Sequence, residues 1–237
     1  MNSSPRTAGL FVTGTDTNVG KTHIACLIAR ELRRSGQRVG AYKPVCSGAI
    51  PHSLPNPRWD DIERLQGALE GDWLGESICP QRFLAPVAPP LAAKMEGRTV
   101  DRELITAGAD WWKSRVDCLI VEGAGGLLAP LTETENSADL ARSFGYPLII
   151  VARCGLGTIN HSLLTIEAAR LRGLSIAGVI LNQSHAGDDL NLAESNATEI
   201  ERIGQTPVLG IVDWGSVDGL HRHGCPVTIP WSELAAC

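Results

Sequence analysis

The amino-acid sequence predicts a single α/β domain whose central sheet is mostly parallel and covered by helices on both faces. Short apolar runs of strand length recur along the 237 residues, and segments with a helical period separate them. The runs are apolar throughout instead of alternating with polar residues, which is typical of parallel strands buried on both faces. No repeat or linker divides the chain. We therefore expect one domain over residues 1–237, with a core at 8–215 and a C-terminal segment, 216–237, without an assigned role.

The elements follow in chain order. Strands are predicted at 9–14, 38–43, 117–123, 147–152, 174–182 and 207–212. The first helical pattern begins at Lys21 and stops at Gly36, and similar patterns occupy 101–115, 158–172 and 190–203. The proline-rich segments 51–58 and 85–93 are predicted as surface loops. The last 20 residues or so give no clear signal, and His221 and His223 are expected in a polar loop.

Charge and cysteine content limit the possible partners and the compartment. The net charge is -5 and no run of like charge occurs, so we expect neither nucleic-acid nor membrane-surface binding. The seven cysteines form no C-x-x-C pair, and an odd number fits reduced thiols. The N-terminal apolar stretch is too short for a signal peptide, and no segment has the 18 consecutive apolar residues of a membrane span. These observations predict a cytoplasmic protein.

The stretch GTDTNVGKT, from Gly14 to Thr22, predicts a phosphate-binding loop. A strand runs into it and a helix follows, although five residues precede the Gly-Lys-Thr where the usual pattern has four. Gly14 and Gly20 allow backbone N–H groups to approach an anion at the helix N-terminus. Lys21 would contact the β- and γ-phosphates, and the Thr22 hydroxyl would bind Mg²⁺. The alternative is a glycine-rich turn with a solvated lysine.

Further polar side chains follow other predicted strands. Lys43 and Ser47 follow the second strand, Glu122 the third and Asn182 a later one. Ligands of open parallel sheets bind at the carboxyl ends of the strands, so we expect these residues near the phosphate loop. Three of them also have a structural interpretation: Lys43 as a snorkelling lysine, Ser47 as part of a Ser-Gly turn and Glu122 as a glutamate exposed in a glycine turn. Asp60 and Asp61 could equally be the solvated first turn of a helix.

Together, GTDTNVGKT, YKPVCSG, VEGAGG and GTINH resemble the dethiobiotin synthetase family, from about residue 9 to residue 215. The resemblance implies a P-loop NTPase-like fold, and the family's phosphate loop has the same extra residue. It also implies an ATP- and Mg²⁺-dependent cyclo-ligase that joins carbon dioxide to 7,8-diaminononanoate in biotin synthesis. A homodimer, with the substrate site at the subunit interface, is implied as well.

The resemblance also implies roles for individual residues. The catalytic residues are Lys21 and Lys43, and the magnesium ligands are Thr22, Asp61 and Glu122. Asp61 is preferred to Asp60 because it begins the family's D-x-x-x-L pattern, here DIERL. The nucleotide-binding residues are Thr17, Asn18, Val19, Gly20, Lys21, Thr22, His23, Asp61, Glu122, Gly123, Ala124, Gly125, Asn182, Asp213 and Trp214. The substrate-binding residues are Thr17, Lys43, Ser47, Gly157, Thr158 and Asn160.

Some positions depart from the family. Asn18 replaces a glutamate, Gln183 replaces an aspartate of some members, and Asp213-Trp214 replaces a proline-containing segment near the adenine. One alternative function is an amidoligase of the same P-loop group, such as a cobyrinic acid amide synthase, but 237 residues are expected to leave no room for its glutaminase region. Another is a ParA- or MinD-like ATPase switch, whose loop has a second lysine where this chain has Thr15, Asp16 and Thr17.

Overall fold

A computed structural model describes residues 7–52, 55–69, 71–187 and 189–236 of the chain. The strands are β1 (Ala8–Gly14), β2 (Val39–Tyr42), β3 (Val45–Ser47), β4 (Gln81–Phe83), β5 (Cys118–Glu122), β6 (Leu148–Arg153), β7 (Ile176–Asn182), β8 (Val208–Val212), β9 (Leu220–Arg222) and β10 (Cys225–Val227). The helices are α1 (Lys21–Arg34), α2 (Asp60–Ala68), α3 (Gly75–Ile78), α4 (Pro89–Met95), α5 (Arg102–Lys113), α6 (Ser137–Phe144), α7 (Thr158–Leu171), α8 (Leu190–Gly204) and α9 (Trp231–Ala236).

The central sheet has the strand order β10-β9-β8-β7-β6-β1-β5-β2. Each pair of neighbouring strands among β2, β5, β1, β6, β7 and β8 is parallel, while β9 and β10 are added antiparallel at the edge next to β8. The inner strands β1, β5 and β6 are almost completely buried, as continuous apolar runs require when helices cover both faces. The predicted fold class is therefore confirmed, and the carboxyl ends of β1, β2, β5 and β7 lie at one edge.

The predicted strands and helices are present, with their ends shifted by no more than two residues. Helix α1 ends at Arg34, and Gly36 follows with φ +87°, a left-handed conformation that suits glycine. In the loop predicted at 51–58, residues 53 and 54 lie outside the described ranges and the others are irregular. Within the part of the chain that the structure covers, no helix is both long enough and apolar enough to span a bilayer.

Two expectations about loops are wrong. The segment 85–93 is not a loop throughout, because α4 begins at Pro89, and proline is favourable in the first turn of a helix, where its missing N–H is not needed. His221 lies in strand β9 rather than in a polar loop, and His223 begins the turn that joins β9 to β10. The C-terminal segment therefore extends the central sheet and then ends in α9, which packs on β1 and α1.

The structure describes six of the cysteines, and none of these six forms a disulfide. Cys225 is exposed, and the other five are buried. Burial raises the pKa of the Cys26, Cys46 and Cys118 thiols to about 12, so these side chains are protonated at neutral pH. They therefore act as small apolar core residues, in agreement with the prediction of reduced cysteines.

Candidate active site

The predicted phosphate loop connects β1 to α1 at the carboxyl edge of the sheet. Asn18 and Gly20 both have left-handed backbone conformations, with φ 59° and 97°. A Cβ atom at Gly20 would lie only 2.2 Å from Asn182 Nδ2, and that amide nitrogen donates a hydrogen bond of 3.1 Å to the Val19 carbonyl oxygen. The loop thus packs directly against the end of β7, and only glycine fits at position 20.

Lys21, the first residue of α1, is buried and contacts its own loop. Its Nζ donates a hydrogen bond of 2.9 Å to the Asp16 carbonyl oxygen. The Asp16 carboxylate in turn accepts a hydrogen bond from the Thr17 N–H, at 2.7 Å, and pairs with Arg153 at 3.0 Å. Burial lowers the pKa of Lys21, and the positive charge of Lys43 lowers it further, while Glu122 opposes both. An anion in this loop would stabilise the protonated ammonium.

Four side chains from four different elements meet beside Lys21. Lys43 Nζ, just after β2, lies 2.6 Å from Asp61 Oδ2 and 2.6 Å from Glu122 Oε1. The Thr22 hydroxyl lies 2.8 Å from Asp61 Oδ1 and 2.8 Å from Glu122 Oε1. Lys43 and Glu122 are only 5% and 1% exposed, so this is a buried ionic cluster rather than a surface ion pair.

The electrostatics of the cluster keep the lysine charged. Burial lowers the pKa of Lys43, but the negative charges of Glu122 and Asp61 outweigh this effect and the pKa is raised. Burial also acts to raise the pKa of Asp61, but Lys43 overcomes it and the pKa is lowered. Glu122 is deeper, and burial raises its pKa. Its Oε2 is buried and has no hydrogen-bond partner among the described side and main chains. An unsatisfied buried carboxylate oxygen is costly unless a ligand contacts it.

One cavity opens over this cluster, and a second cavity adjoins it. The first has a volume of about 370 Å³ and is lined by Thr17, Asn18, Gly20, Lys21, Thr22, His23, Lys43, Val45, Cys46, Ser47, Asp60, Asp61, Arg64, Glu122, Ala124 and Gly125. The second has a volume of about 310 Å³ and is lined by Asn18, Gly20, His23, Arg64, Asn182, Gln183, Ser184, Asp213, Trp214, Gly215 and Val217. They share Asn18, Gly20, His23 and Arg64, so together they form one elongated cleft along the sheet edge.

Most residues that the sequence analysis singled out line this cleft. Val19 and Gly123 do not line it. The Val19 carbonyl oxygen accepts the hydrogen bond from Asn182, and Gly123 lies against the Phe11 ring, which a Cβ atom at Gly123 would approach to 3.1 Å. Ser47 lines the first cavity but is the last residue of β3, not part of a turn, and its hydroxyl donates a hydrogen bond of 2.7 Å to the Val87 carbonyl oxygen. Asp61 contacts the cluster, whereas Asp60 pairs with Arg64.

Three predicted substrate residues do not line either cavity. Gly157, Thr158 and Asn160 begin helix α7, with Gly157 at φ +90° and Asn160 exposed. Thr158 is buried, and its hydroxyl has no hydrogen-bond partner within the described chain. Conversely, Arg64, Val45 and Cys46 line the first cavity although the sequence analysis gave them no role. Only their distance in sequence from Lys43 and Asp61, two to three residues, could have indicated them.

The parallel sheet has a glycine-rich loop at its carboxyl edge, and the next helix begins with a lysine and a threonine that have two acidic partners. These features define a P-loop NTPase-like protein. A family model described as an AAA domain matches residues 8–217. The ATP-dependent dethiobiotin synthetase BioD of Anaeromyxobacter dehalogenans is 45% identical over 206 residues, which cover 87% of this chain and 90% of that relative. The enzyme of the same name from Bacillus subtilis strain 168 is 40% identical over 203 residues, 86% of each chain. This chain therefore belongs to the ATP-dependent dethiobiotin synthetase family.

One solved structure of another protein has a similar fold. The structure of chloroplast FtsY from Physcomitrella patens superposes with a TM-score of 0.50 at 14% sequence identity and covers 100% of this chain and 65% of that one. At this identity the similarity concerns the fold alone. The assignment of the family therefore depends on the sequence relatives, and the chemistry on the residues of the cleft.

Proposed function

We propose that this protein closes the ureido ring of dethiobiotin from 7,8-diaminononanoate, carbon dioxide and ATP, releasing ADP and phosphate. The observation that carries the proposal is the buried contact of Lys43 with Asp61 and Glu122, at 2.6 Å each, beside Lys21 and Thr22 of the phosphate loop. Membership of a family whose curated relatives are named ATP-dependent dethiobiotin synthetase supports it. ATP use is supported by the P-loop and its position at the sheet edge.

The reaction requires three steps, each of which concentrates negative charge. One amine of the substrate adds to carbon dioxide and loses a proton, giving a carbamate. A carbamate oxygen then attacks the γ-phosphorus of ATP, forming a carbamic-phosphoric anhydride and releasing ADP. The second amine attacks the carbamate carbon, phosphate leaves with the bonding electron pair, and the amine loses its proton. The protein's contribution to such chemistry is mainly positioning and stabilisation of charge.

The two lysines are placed to stabilise that charge. Lys21 is held by its own loop through Asp16 and would contact the β- and γ-phosphates. Lys43 lies 2.6 Å from the two carboxylates and would contact the carbamate and the transferring phosphoryl group. The raised pKa of Lys43 keeps it protonated through the neutral range. Both ammonium groups are thus fixed before the substrates bind, which is the condition for electrostatic catalysis.

The oxygen atoms of Thr22, Asp61 and Glu122 would hold Mg²⁺. All three are hard oxygen donors, which Mg²⁺ prefers, and the buried Glu122 Oε2 has no other partner in the described chain. The described residues contain no group of three or more His, Cys, Asp or Glu side chains suited to a metal ion. Phosphate oxygens and water would complete the proposed site. When bound, Mg²⁺ would neutralise charge on the phosphates.

The second cavity would receive the nucleobase. Asn182 lies at its base with its amide fixed on Val19, while Asp213 and Trp214 form one wall. The Trp214 ring lies nearly parallel to His185, at an interplanar angle of 7°. Trp214 is 57% exposed, so its ring has an open face on which a base could stack. The backbone and side chains from Thr17 to His23 and from Glu122 to Gly125 would surround the phosphates.

The organic substrate would lie in the first cavity against Thr17, Lys43 and Ser47. Gly157, Thr158 and Asn160 lie outside that cavity, so their role requires a second subunit of a homodimer. The exposed side chains of Leu156, Leu164 and Leu171 support this arrangement, since they are large apolar groups on and just before α7 that a second subunit could cover. We also propose a cytoplasmic location, without a nucleic-acid or membrane partner.

An assay of the purified protein tests the function. It is incubated with ATP, Mg²⁺, bicarbonate and 7,8-diaminononanoate, and dethiobiotin is quantified by mass spectrometry. We expect product and ADP in equal amounts, and no product when ATP or the diamine is omitted. If the diamine neither stimulates ATP hydrolysis nor yields dethiobiotin, the proposed function is wrong.

A further inference from the structure

Arg64 lies where the two cavities join. It belongs to α2 and is one of the four residues that line both cavities. A nucleoside triphosphate with its terminal phosphates over the ionic cluster and its base beside Trp214 must pass this junction. The groups at its middle are the ribose and the adjoining phosphates, so Arg64 faces that part of the nucleotide.

The helix explains why Arg64 reaches the cleft. Asp61 and Arg64 are three residues apart on α2 and therefore lie on the same face of the helix. Asp61 contacts Lys43 and Thr22 inside the first cavity. Arg64 is one turn further along and reaches the rim, where 46% of its side chain is exposed. Its guanidinium is thus accessible to a ligand in the cleft.

Arg64 is held in place by two neighbours. Its Nη2 lies 3.3 Å from His23 Nδ1, and its Nη1 lies 3.6 Å from Asp60 Oδ2. A guanidinium only donates hydrogen bonds, so His23 Nδ1 must accept, and the imidazole is neutral with its proton on Nε2. This contact holds Nη2 beside His23, which also lines both cavities.

Arg64 supplies a positive charge at the part of the cleft that the inner phosphates would occupy. Lys21 and Lys43 lie beside Asp61 and Glu122 in the ionic cluster, and Asp60 and Asp213 add two further carboxylates to the lining of the cleft. Arg64 is the remaining lysine or arginine in the described lining of the two cavities. The two lysines and the proposed Mg²⁺ would contact the outer phosphates, and Arg64 is the cation placed beside the inner ones. A guanidinium suits phosphate because it donates two parallel hydrogen bonds.

We propose that Arg64 is a nucleotide-binding residue that donates hydrogen bonds to the phosphates nearest the ribose, and that His23 positions it. This inference rests on the proposed use of ATP, but it concerns affinity for the nucleotide rather than the ligase chemistry. His23 therefore acts on the nucleotide through Arg64. Lysine at position 64 would retain the charge but lose the paired donors.

Isothermal titration calorimetry of the full chain with ADP and with adenosine tests the proposal. Arg64→Ala is expected to raise the Kd for ADP about 10-fold or more, the usual effect of losing a hydrogen bond to a charged group. The Kd for adenosine should not change, and Arg64→Lys should lie between wild type and Arg64→Ala. The matched control is Arg58→Ala, because Arg58 precedes the same helix, pairs with Glu63 at 2.6 Å and lines neither cavity. His23→Ala should weaken ADP binding in the wild type but not in the Arg64→Ala background.

The outcomes separate this inference from the proposed function. If wild type makes dethiobiotin and Arg64→Ala binds ADP as tightly as Arg58→Ala, the role of Arg64 is wrong and the function stands. If wild type binds ADP, shows the Arg64 effect and makes no dethiobiotin, the function fails and the role of Arg64 stands. Equal losses for ADP and adenosine would refute a phosphate contact. Because exposed ion pairs contribute little to stability, Arg64→Ala should fold, and its thermal unfolding checks this.

Discussion

Gly20→Ala tests whether the phosphate loop and the end of β7 form one packed unit. Gly20 has φ +97°, and an added Cβ would lie 2.2 Å from Asn182 Nδ2. Gly36 provides a matched control because its φ is +87° and, in the described chain, only its own sequence neighbours lie within 4 Å of the position that a Cβ would take. Both substitutions place alanine in the left-handed region, but only the first must displace a neighbour.

The expected magnitudes follow from these contacts. A left-handed alanine costs about 1–2 kcal/mol at either site. At position 20 the Asn182 amide must also leave the Val19 carbonyl oxygen, now 3.1 Å away, and losing a buried hydrogen bond costs about 1–3 kcal/mol more. Gly20→Ala should therefore lower the free energy of unfolding by about 2–5 kcal/mol and Gly36→Ala by about 1–2 kcal/mol. In a chain of this length each kcal/mol corresponds to about 2–4 °C in Tm.

Thermal and urea unfolding of both variants, with ADP titration, provide the assay. Gly20→Ala should be the less stable variant and should bind ADP weakly, whereas Gly36→Ala should bind ADP like wild type. Asn182→Ala should lower the free energy of unfolding less in the Gly20→Ala background than in wild type, because the hydrogen bond from Asn182 to Val19 is already broken there. Equal destabilisation by the two glycine substitutions, or strictly additive losses with Asn182→Ala, would refute the packing argument.

Three other predictions concern charge. Lys43→Ala should reduce dethiobiotin formation by about 10²-fold or more, measured by mass spectrometry, with ADP affinity as the control; full turnover would remove Lys43 from catalysis. The folded-state pKa of His23 is lowered, so the contribution of His23 to stability is fully present above pH 6.5, the ordinary pKa of histidine, and is lost as the pH falls below that value. The Tm of wild type should therefore fall more than that of His23→Asn between about pH 7 and 5.5. Equal declines in the two Tm values would contradict this. Arg222 contacts Glu194, Glu201 and the Val208 carbonyl oxygen. Arg222→Ala should therefore lower the free energy of unfolding in urea by about 1–3 kcal/mol, against less than about 1 kcal/mol for Arg202→Ala, whose arginine is exposed. Equal losses for the two variants would contradict this.

The elements that could be predicted from the sequence are those whose local pattern agrees with their environment. Strands β1, β5 and β6 are buried on both faces, and their continuous apolar runs indicate this directly. Strands β3 and β4 could not be predicted, because each has three residues and their pairing joins Val45 to Gln81 across the chain. Helix α4 was missed because its two leading prolines are equally typical of a loop.

The candidate site shows the same division. Residues of the phosphate loop and strand ends were predicted because loop spacing and sheet topology place them at one edge. Glu122 is 1% exposed and contacts both Lys43 and Thr22. These contacts depend on the packing of residues that are far apart in sequence, so no local pattern indicates them. Arg64 was missed for a similar reason: its position depends on how α2 packs against α1, which the sequence of α2 alone does not specify.

The hairpin of β9 and β10 has a consequence for the behaviour of the protein at high concentration. An open parallel sheet ends in strands whose unpaired backbone groups can recruit a strand from another molecule. Here the last position is taken by Cys225–Val227, a strand of only three residues that pairs antiparallel with β9. Its middle residue, Pro226, has no N–H to donate, so an incoming strand would find a poor template. The C-terminal segment thus protects this side of the sheet against aggregation.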